Sequence, residues 1–160
     1  MAPITWLTER PDHSDGDGPR CGLPGRKKMN LTFRAAELSD IADMFVLRAR
    51  TRENAITRAE LARLGITRAS TAALLNSGRL SSWVCAEGSA LVGFCSGDTA
   101  SGEVLVLAVL PRFERRGIGK RLLLSVVETL RRAGCQRPWL AASSDRKVRS
   151  HGYPVLWRLK

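Results

Sequence analysis

The sequence predicts an α/β domain in which helices lie on both faces of a mixed β-sheet. Three observations predict it. The run "VLVLAVL" at residues 104–110 is apolar throughout, which is typical of a strand buried on both faces. Apolar residues recur at every fourth position after residue 118, which is typical of an amphipathic helix. The predicted elements follow the order β, α, α, β, β, β, α, β, and this order favours a mixed sheet.

Length and composition are consistent with one folded domain. The chain has 160 residues, of which 44% are hydrophobic, and this suffices for a single core. Residues 1–28 are rich in Gly, Pro and Asp and show no sustained hydrophobic period, so we expect a disordered N-terminal extension there. The folded domain is then residues 29–160. A basic peptide arm at "RKK" is the alternative role for the extension.

The chain is strongly basic, with 26 Lys and Arg against 15 Asp and Glu and a formal net charge of +11. This charge attracts a phosphate-bearing ligand, nucleic acid or an anionic membrane, although a solvated basic surface is the commoner explanation of such an excess. No helix-turn-helix, zinc or RNA-binding sheet motif is present, and four Phe and one Tyr offer few rings for base stacking. Nucleic-acid binding is therefore the disfavoured interpretation.

Cysteine spacing and hydropathy indicate a cytoplasmic protein. Cys21, Cys85, Cys95 and Cys135 are scattered and form no metal-binding pattern, so we interpret them as reduced thiols and expect no metal. No stretch is long and apolar enough to span a membrane or to act as a secretory signal. We therefore expect no membrane partner.

The first elements are a short strand and two helical regions. "LTFRA" alternates like a strand, and Ser39 or Asp40 is placed to cap the helix that follows. That helix carries four apolar residues on one side, namely Ile41, Met44, Phe45 and Leu47. The next region, "TRAELARLGITRASTAALLNSG", breaks near its first glycine, where Thr67 can cap a new helix with Leu74 and Leu75 on its apolar face.

The second half of the chain predicts a hairpin, a central strand and a long helix. "SSWVCAEGSALVGFCSG" contains two β-rich runs around Glu87-Gly88-Ser89, which is typical of a tight hairpin. After the central strand, the helix that starts near residue 118 stops at Gly134. "PWLAAS" predicts another short strand, and "VLWRLK" is a weaker candidate for one more. The apolar face of the long helix is formed by Ile118, Leu122, Leu123, Val126, Val127 and Leu130.

The segment "PRFERRGIGKRLL" joins the apolar strand to this helix and predicts an anion site. The first N–H groups of a helix have no acceptor within the helix, and the helix dipole is positive there. Gly117 and Gly119 lack the Cβ atoms that would keep a phosphate away from those groups. The flanking cations are Arg115, Arg116, Lys120 and Arg121. An ordinary turn that needs glycine for its dihedral angles is the alternative, which the preceding buried strand and the amphipathic helix disfavour.

The order of these elements resembles the GNAT superfamily of acyl-CoA-dependent N-acetyltransferases. "LAVLPRFERRGIGKRLL" is similar to the family signature, in which a strand ends in Val-x-Pro and Gln/Arg-x-x-Gly-x-Gly/Ala starts the long helix. The resemblance covers the chain from about Met29 onward. It implies a mostly antiparallel central sheet, acetyl-CoA as co-substrate and an amine acceptor of unknown identity. We expect this chain to end before the family's final strand, so its exposed sheet edge would favour a partner strand or a homodimer.

The resemblance also assigns residues to the coenzyme site. The pyrophosphate loop would consist of Glu114, Arg115, Arg116, Gly117, Ile118, Gly119 and Lys120. The main chain of Leu107, Ala108, Val109 and Leu110 would face the pantetheine arm. Glu114 departs from the usual Gln or Arg, but main-chain groups do most of the holding, and the flanking cations outweigh one carboxylate.

Two residues are candidates for the chemistry. Glu103 resembles the general base of the histone-acetylating branch of the family, with a strand-start residue exposed beside a turn as the alternative. Tyr153 resembles the acid that protonates the coenzyme thiolate, although Pro154 follows it and the spacing to Trp157 is one residue short. A GNAT-like protein that binds coenzyme A without efficient catalysis is the main alternative function, and peptide, small-molecule and antibiotic amines are all open as acceptors.

Overall fold

The structure is a computed structural model that describes residues 30–52, 55–142 and 155–158. The predicted N-terminal extension lies outside the described residues. The described part contains six strands and four α-helices: β1 (Leu31–Ala35), α1 (Ile41–Arg48), α2 (Arg58–Arg63), α3 (Arg68–Asn76), β2 (Leu80–Glu87), β3 (Ala90–Asp98), β4 (Glu103–Val109), α4 (Ile118–Arg132), β5 (Trp139–Ala142) and β6 (Val155–Arg158). Short 3-10 helices at Leu38–Asp40 and Pro111–Phe113 precede α1 and α4.

The six strands form one sheet in chain order, β1 to β6. Neighbouring strands are antiparallel except β4 and β5, which are parallel and pair only at Glu103 with Trp139 and Val104 with Leu140. The predicted mixed sheet and its order of elements are confirmed, and the first four residues of the weak strand candidate "VLWRLK" form β6. Because β4 and β5 meet only at their first residues, the rest of β4 has no β5 partner.

Helices cover both faces of the sheet. On one face, α4 packs on β2, β3 and β4 through a core that includes Cys85, Cys95 and Val104. On the other face, α1 packs on β3 and β4 through Met44 and Leu47. A third apolar cluster holds α1 against α2 and α3. The sheet is thus buried from both sides near β3, and the prediction of helices on both faces of the sheet is confirmed.

The long helix is confirmed, together with its buried face. Its main apolar positions, Ile118, Leu122, Val126 and Leu130, are all buried. The helix lies so close to the sheet that a Cβ atom on Gly97 of β3 would be 2.8 Å from Cγ1 of Val126. Glycine at this position therefore lets α4 pack directly on the backbone of β3.

Two details of the first helices differ from the prediction. Asp40 precedes α1 without capping it, because its carboxylate accepts hydrogen bonds from Arg34 and from the Glu37 N–H (Oδ2, 2.7 Å). Thr67 caps α3 as predicted, since its Oγ1 accepts from the Ser70 N–H at 3.1 Å. In α3, however, Leu74 is exposed. The buried side of α3 packs against α1 and α2. Leu75 lies in this apolar cluster, whereas Leu74 does not.

The expectation that β4 is buried on both faces along its whole length was wrong. Val104 and Ala108 are buried, but Leu105 is 47% exposed and Leu107 is 38% exposed. The pairing with β3 shifts register between Ser96 and Gly97, so Leu105 has no partner in β3. After Val104, β4 no longer pairs with β5, and no other described strand pairs with this edge of β4.

The cysteines of the strands behave as small apolar residues. Cys85 and Cys95 are buried and free, which confirms the interpretation as reduced thiols for this pair. Burial raises the pKa of the Cys85 thiol to about 11 and that of Cys95 to about 12. Within the described ranges no helix has the length and hydropathy of a membrane span, and no metal-binding cluster of His, Cys, Asp or Glu is found.

Candidate functional site

The candidate site is the junction between β4 and α4. Leu110 directly follows the strand and donates its N–H to the Val92 carbonyl at 2.9 Å. A 3-10 turn at Pro111–Phe113 then reverses the chain, and the side chain of Phe113 is buried in the core beneath it. The loop that follows is therefore anchored at both ends, by the sheet and by the helix. The residues between, from Glu114 to Gly117, are exposed.

Two loop residues adopt the left-handed backbone conformation. Arg115 has φ 60°, the only positive φ among the described non-glycine residues, and Gly117 has φ 77°. A left-handed non-glycine residue is strained, and such strain is concentrated at functional sites. Residues in this conformation turn successive N–H groups toward one side of the chain and form a concave anion-binding nest. The loop geometry thus agrees with the predicted anion site.

The first N–H groups of α4 have no acceptor among the described residues. The first helical hydrogen bond runs from the Arg121 N–H to the Gly117 carbonyl at 3.0 Å. The N–H groups of Ile118, Gly119 and Lys120 precede that bond, and no side chain caps the helix. These three donors carry the positive end of the helix dipole and are available to an anion.

Three arginines around the loop lie against aromatic rings. The guanidinium carbons of Arg112 and Arg116 lie 4.7 Å and 5.8 Å from the centroid of the Phe113 ring, and that of Arg121 lies 4.0 Å from the Phe33 ring. Arg112, Phe113 and Phe33 were not predicted from the sequence as parts of the site. In "PRFERR" arginines stand on both sides of Phe113, and this pattern could have indicated Arg112 and Phe113. Phe33 is remote in sequence, so no local pattern indicates it.

The open edge of β4 runs from this loop toward the middle of the sheet. In an antiparallel pair, every second residue directs its N–H and C=O toward the neighbouring strand. Because Leu110 donates to Val92, the main-chain groups of Ala108 and Val106 also point toward β3. Leu107 and Val109 then direct theirs away from β3, to the side that β5 has left. Of the four residues predicted to face the pantetheine arm, only Leu107 and Val109 present main-chain groups at the open edge.

Gly119 faces this same edge from α4. A Cβ atom on Gly119 would lie 3.7 Å from Cδ2 of Leu107 and 3.7 Å from Cγ2 of Val109. A Cβ on Gly117 would meet nothing within 4 Å. The two glycines therefore have different roles, because Gly117 supplies a backbone conformation and Gly119 keeps space between α4 and β4.

Glu103, one of the two predicted catalytic residues, lies away from the loop. Glu103 is half-buried at the opposite end of β4, about 20 Å from Val109 at the usual rise of a strand. It stands where β4 and β5 still pair, and its N–H donates to Oγ of Ser101 at 3.2 Å. Tyr153 lies outside the described residues. The structure therefore brings the coenzyme-loop residues together and leaves the catalytic assignments as predictions.

A separate cavity of about 220 Å³ lies beside α1, next to the end of β4. Its walls come from α1 and Arg50 just beyond it, from the start of β3, and from Leu110, the residue before the 3-10 turn. Asp43 and Arg50 contribute the charged groups of this wall. Neither residue was singled out by sequence reasoning, since each is an exposed charge in a helical region and has no distinctive spacing.

Comparison with known families agrees with this geometry. The model of the Acetyltransferase (GNAT) family matches residues 42–153, which includes most of the sheet and the whole of the glycine loop. No curated protein sequence matches the chain significantly.

Many solved structures share the fold. The PaiA N-acetyltransferase of Thermoplasma acidophilum in complex with coenzyme A has a TM-score of 0.61 and 17% identity, over 76% of this chain and 85% of that one. The ribosomal-protein-S18-alanine N-acetyltransferase of Escherichia coli has a TM-score of 0.56 and 16% identity, over 75% and 72%. YncA of Salmonella typhimurium with its cofactor acetyl-CoA has a TM-score of 0.54 and 21% identity, over 75% and 74%. At these identities the likeness concerns the fold.

Proposed function

Because this chain belongs to the GNAT family of acetyltransferases, we propose that it transfers an acetyl group from acetyl-CoA directly to the nitrogen of a primary amine. The observation that carries the proposal is the set of free N–H groups at residues 118–120, which lies beside the open edge of β4. A pyrophosphate and an amide-containing arm, joined as they are in coenzyme A, would need both features next to each other. The coenzyme-bound structures of similar fold support the proposal.

The pyrophosphate would bind the start of α4. The donors are the N–H groups of Ile118, Gly119 and Lys120, aided by the helix dipole and the left-handed loop residues. Arg116, held against the Phe113 ring, adds positive charge at the loop surface. Glu114 is exposed to solvent, so water screens its repulsion of a phosphate. The balance of charge therefore favours the dianionic pyrophosphate.

The pantetheine arm would continue along β4. Its two amides can pair with the main-chain groups of Leu107 and Val109, which face the gap left by β5. The exposed side chain of Leu107 offers apolar contact to the methylene groups of the arm. This arrangement directs the thioester toward the middle of β4, where the bulge at Leu105 interrupts the ladder.

The transfer requires no acyl-enzyme. The lone pair of a neutral amine attacks the thioester carbonyl carbon, a C–N bond forms, and the C–S bond breaks as the sulfur leaves with its electron pair. The nitrogen must lose a proton and the thiolate must gain one. We propose Glu103 as the base, acting through water because of its distance from the loop, and Tyr153 as the acid. The cysteines are poor nucleophiles here, since burial raises the pKa of both Cys85 and Cys95.

Two measurements on one preparation test this function. Titration of acetyl-CoA by calorimetry should show one site per chain, and release of the coenzyme thiol should depend on an added amine. Binding without thiol release for any amine in a broad panel would support the alternative, a coenzyme-binding protein without efficient catalysis. Absence of acetyl-CoA binding would overturn both.

A further inference from the structure

Trp139, the first residue of β5, stands beside Glu103 and belongs to none of the coenzyme contacts described above. We propose that its indole ring and the Glu103 carboxylate together bind the acceptor amine in its ammonium form, so that Trp139 selects which acceptors the protein takes. This inference rests on the proposed function, since it concerns the amine that receives the acetyl group. Its evidence is the strand register, the hydrogen bonds of Ser101 and the position of the pair on β4.

The two side chains stand next to each other on one face of the sheet. Glu103 and Trp139 are direct partners in the parallel pair of β4 and β5, and the backbones of paired strands are about 5 Å apart. Their chain neighbours Val104 and Leu140 pack in the core beneath α4. Because successive side chains of a strand point to opposite faces, Glu103 and Trp139 point away from α4. Both are half-buried, so each keeps part of its surface open to a ligand.

Ser101 holds both residues in place. Its carbonyl accepts a hydrogen bond from the Trp139 Nε1–H at 3.2 Å, and its hydroxyl oxygen accepts one from the Glu103 N–H at 3.2 Å. The Trp139 N–H also donates to the Gly102 carbonyl at 3.0 Å. Since its polar Nε1–H is already bonded to the turn, the indole offers a ligand only its apolar π surface.

An indole face beside a carboxylate favours a cation. Tryptophan attracts ammonium groups more strongly than the other aromatic side chains do, and a carboxylate adds a full negative charge. Glu103 forms no ion pair with another described residue, so its charge is available to a ligand. Primary amines are mostly protonated at neutral pH, and the ammonium ion is therefore the form that reaches the protein.

The pair lies where the proposed transfer needs the amine. Leu105, which the thioester would approach, is two residues from Glu103, about 7 Å along the strand. That gap has room for the amine nitrogen and for one water, through which the ammonium gives a proton to Glu103. The neutral amine that remains has its lone pair free for the thioester carbon. Trp139 takes no part in this proton transfer and contributes only binding.

A matched pair of probes tests the recognition of a cation. Choline and dimethylbutanol, its analogue with carbon in place of nitrogen, have the same shape and differ in charge. Each is titrated into the protein loaded with coenzyme A, which has no acetyl group to transfer. The methyl groups of each probe give one sharp proton NMR signal, whose change during the titration gives the affinity. We expect choline to bind about tenfold more tightly than dimethylbutanol.

Variants locate the effect. Trp139→Leu and Glu103→Gln should each lower the ratio of the two affinities to about threefold, because each removes one of two attractions. Trp139→Phe keeps an aromatic face and should retain most of the ratio. The matched controls are Trp83→Leu, on the α4 side of the sheet, and Glu87→Gln, at the end of β2, and both should leave the ratio unchanged. A ratio near one in the wild type, or one that Trp139→Leu does not alter, would overturn the inference.

A change in the electrons of the ring tests the same contact without altering the shape of the side chain much. Fluorinated tryptophan, incorporated biosynthetically, withdraws electron density from the π face and weakens its attraction for cations. Choline should bind the fluorinated protein more weakly, whereas dimethylbutanol should bind as before. Trp139→Phe should abolish this difference between fluorinated and ordinary protein, which assigns the effect to position 139. Equal affinities for choline in the fluorinated and ordinary wild type would contradict the proposal.

Acetyl-CoA binding and amine-dependent thiol release, measured on the same preparation, separate this inference from the proposed function. If acetyl-CoA binds and amines release its thiol, but the probe ratio ignores Trp139, the assignment of the acceptor contact alone is wrong. If acetyl-CoA does not bind, the proposed function fails, and the ratio measured on the free protein still decides whether the pair recognises cations.

Discussion

The side chain of Leu107 closes the space in front of Gly119, since a Cβ on Gly119 would lie 3.7 Å from Cδ2 of Leu107. This distance is an ordinary van der Waals contact, so alanine fits at position 119 and a larger side chain does not. The first turn of α4 and β4 are thus in contact through this side chain, beside the edge of β4 along which the proposed coenzyme arm would run.

The first prediction concerns this space. Gly119→Ala should bind acetyl-CoA nearly as well as the wild type, whereas Gly119→Phe should lose binding because its ring fills the gap between α4 and β4. Arg116→Ala removes one solvent-screened charge and should weaken binding only several-fold. Calorimetric titration of the three variants gives the order. Loss of binding in Arg116→Ala together with a harmless Gly119→Phe would refute the main-chain account of the site.

The second prediction concerns Gly97, where α4 packs directly on β3. A Cβ there would lie 2.8 Å from Cγ1 of Val126 and 3.0 Å from Cδ1 of Leu130, so Gly97→Ala should lower the free energy of unfolding by about 1–3 kcal/mol. Urea denaturation measures the loss, with Gly119→Ala as the control. Adding Val126→Ala to Gly97→Ala should cost less than the sum of the single changes. Strict additivity would show that the two residues are not in contact.

The third prediction is a pH dependence that comes from Asp40. Hydrogen bonds from Arg34 and then from the Glu37 N–H hold the pKa of the Asp40 carboxyl below its usual range. A carboxyl with a lowered pKa in the folded state contributes stability that is complete above its unfolded pKa, about 4, and is lost as pH falls through the folded value. The free energy of unfolding should therefore fall more steeply below about pH 4 in the wild type than in Asp40→Asn.

Urea denaturation at a series of pH values from 3 to 6 gives both curves, and Asp43→Asn serves as the exposed control that should follow the wild type. Parallel curves for the wild type and Asp40→Asn would show that the contact with Arg34 contributes nothing to stability.

The fourth prediction concerns thiol reactivity. Since the pKa of Cys85 is raised to about 11 and that of Cys95 to about 12, both should resist iodoacetamide at pH 8 in the native protein. Cys135 is partly exposed and should be alkylated faster. Peptide mapping by mass spectrometry identifies the modified residues, and labelling in urea should modify all of them. Rapid native labelling of Cys95 would contradict the burial of β3.

Local signals predicted much of the fold and the position of the site. The hairpin at Glu87-Gly88-Ser89, the buried face of α4 and its stop at Gly134 all depend on turn chemistry and periodicity over a few residues. The glycine loop belongs to the same class, because Gly117 and the start of α4 are adjacent in sequence. Patterns of this kind need no knowledge of the rest of the chain.

The features that depend on distant residues became evident only from the tertiary structure. Whether the edge of β4 is open depends on where β5, more than thirty residues later, stops pairing with Val104. That divergence also exposes Leu105 and Leu107, which the apolar pattern alone placed in the core. Likewise, Asp43 and Arg50 form one wall of a groove only because α1 packs beside the end of β4. By itself the sequence determined the local elements, the position of the glycine loop and the family they resemble. Tertiary packing decided which main-chain groups and charges remain free for a ligand, because their solvation and pairing are set by neighbours remote in the chain.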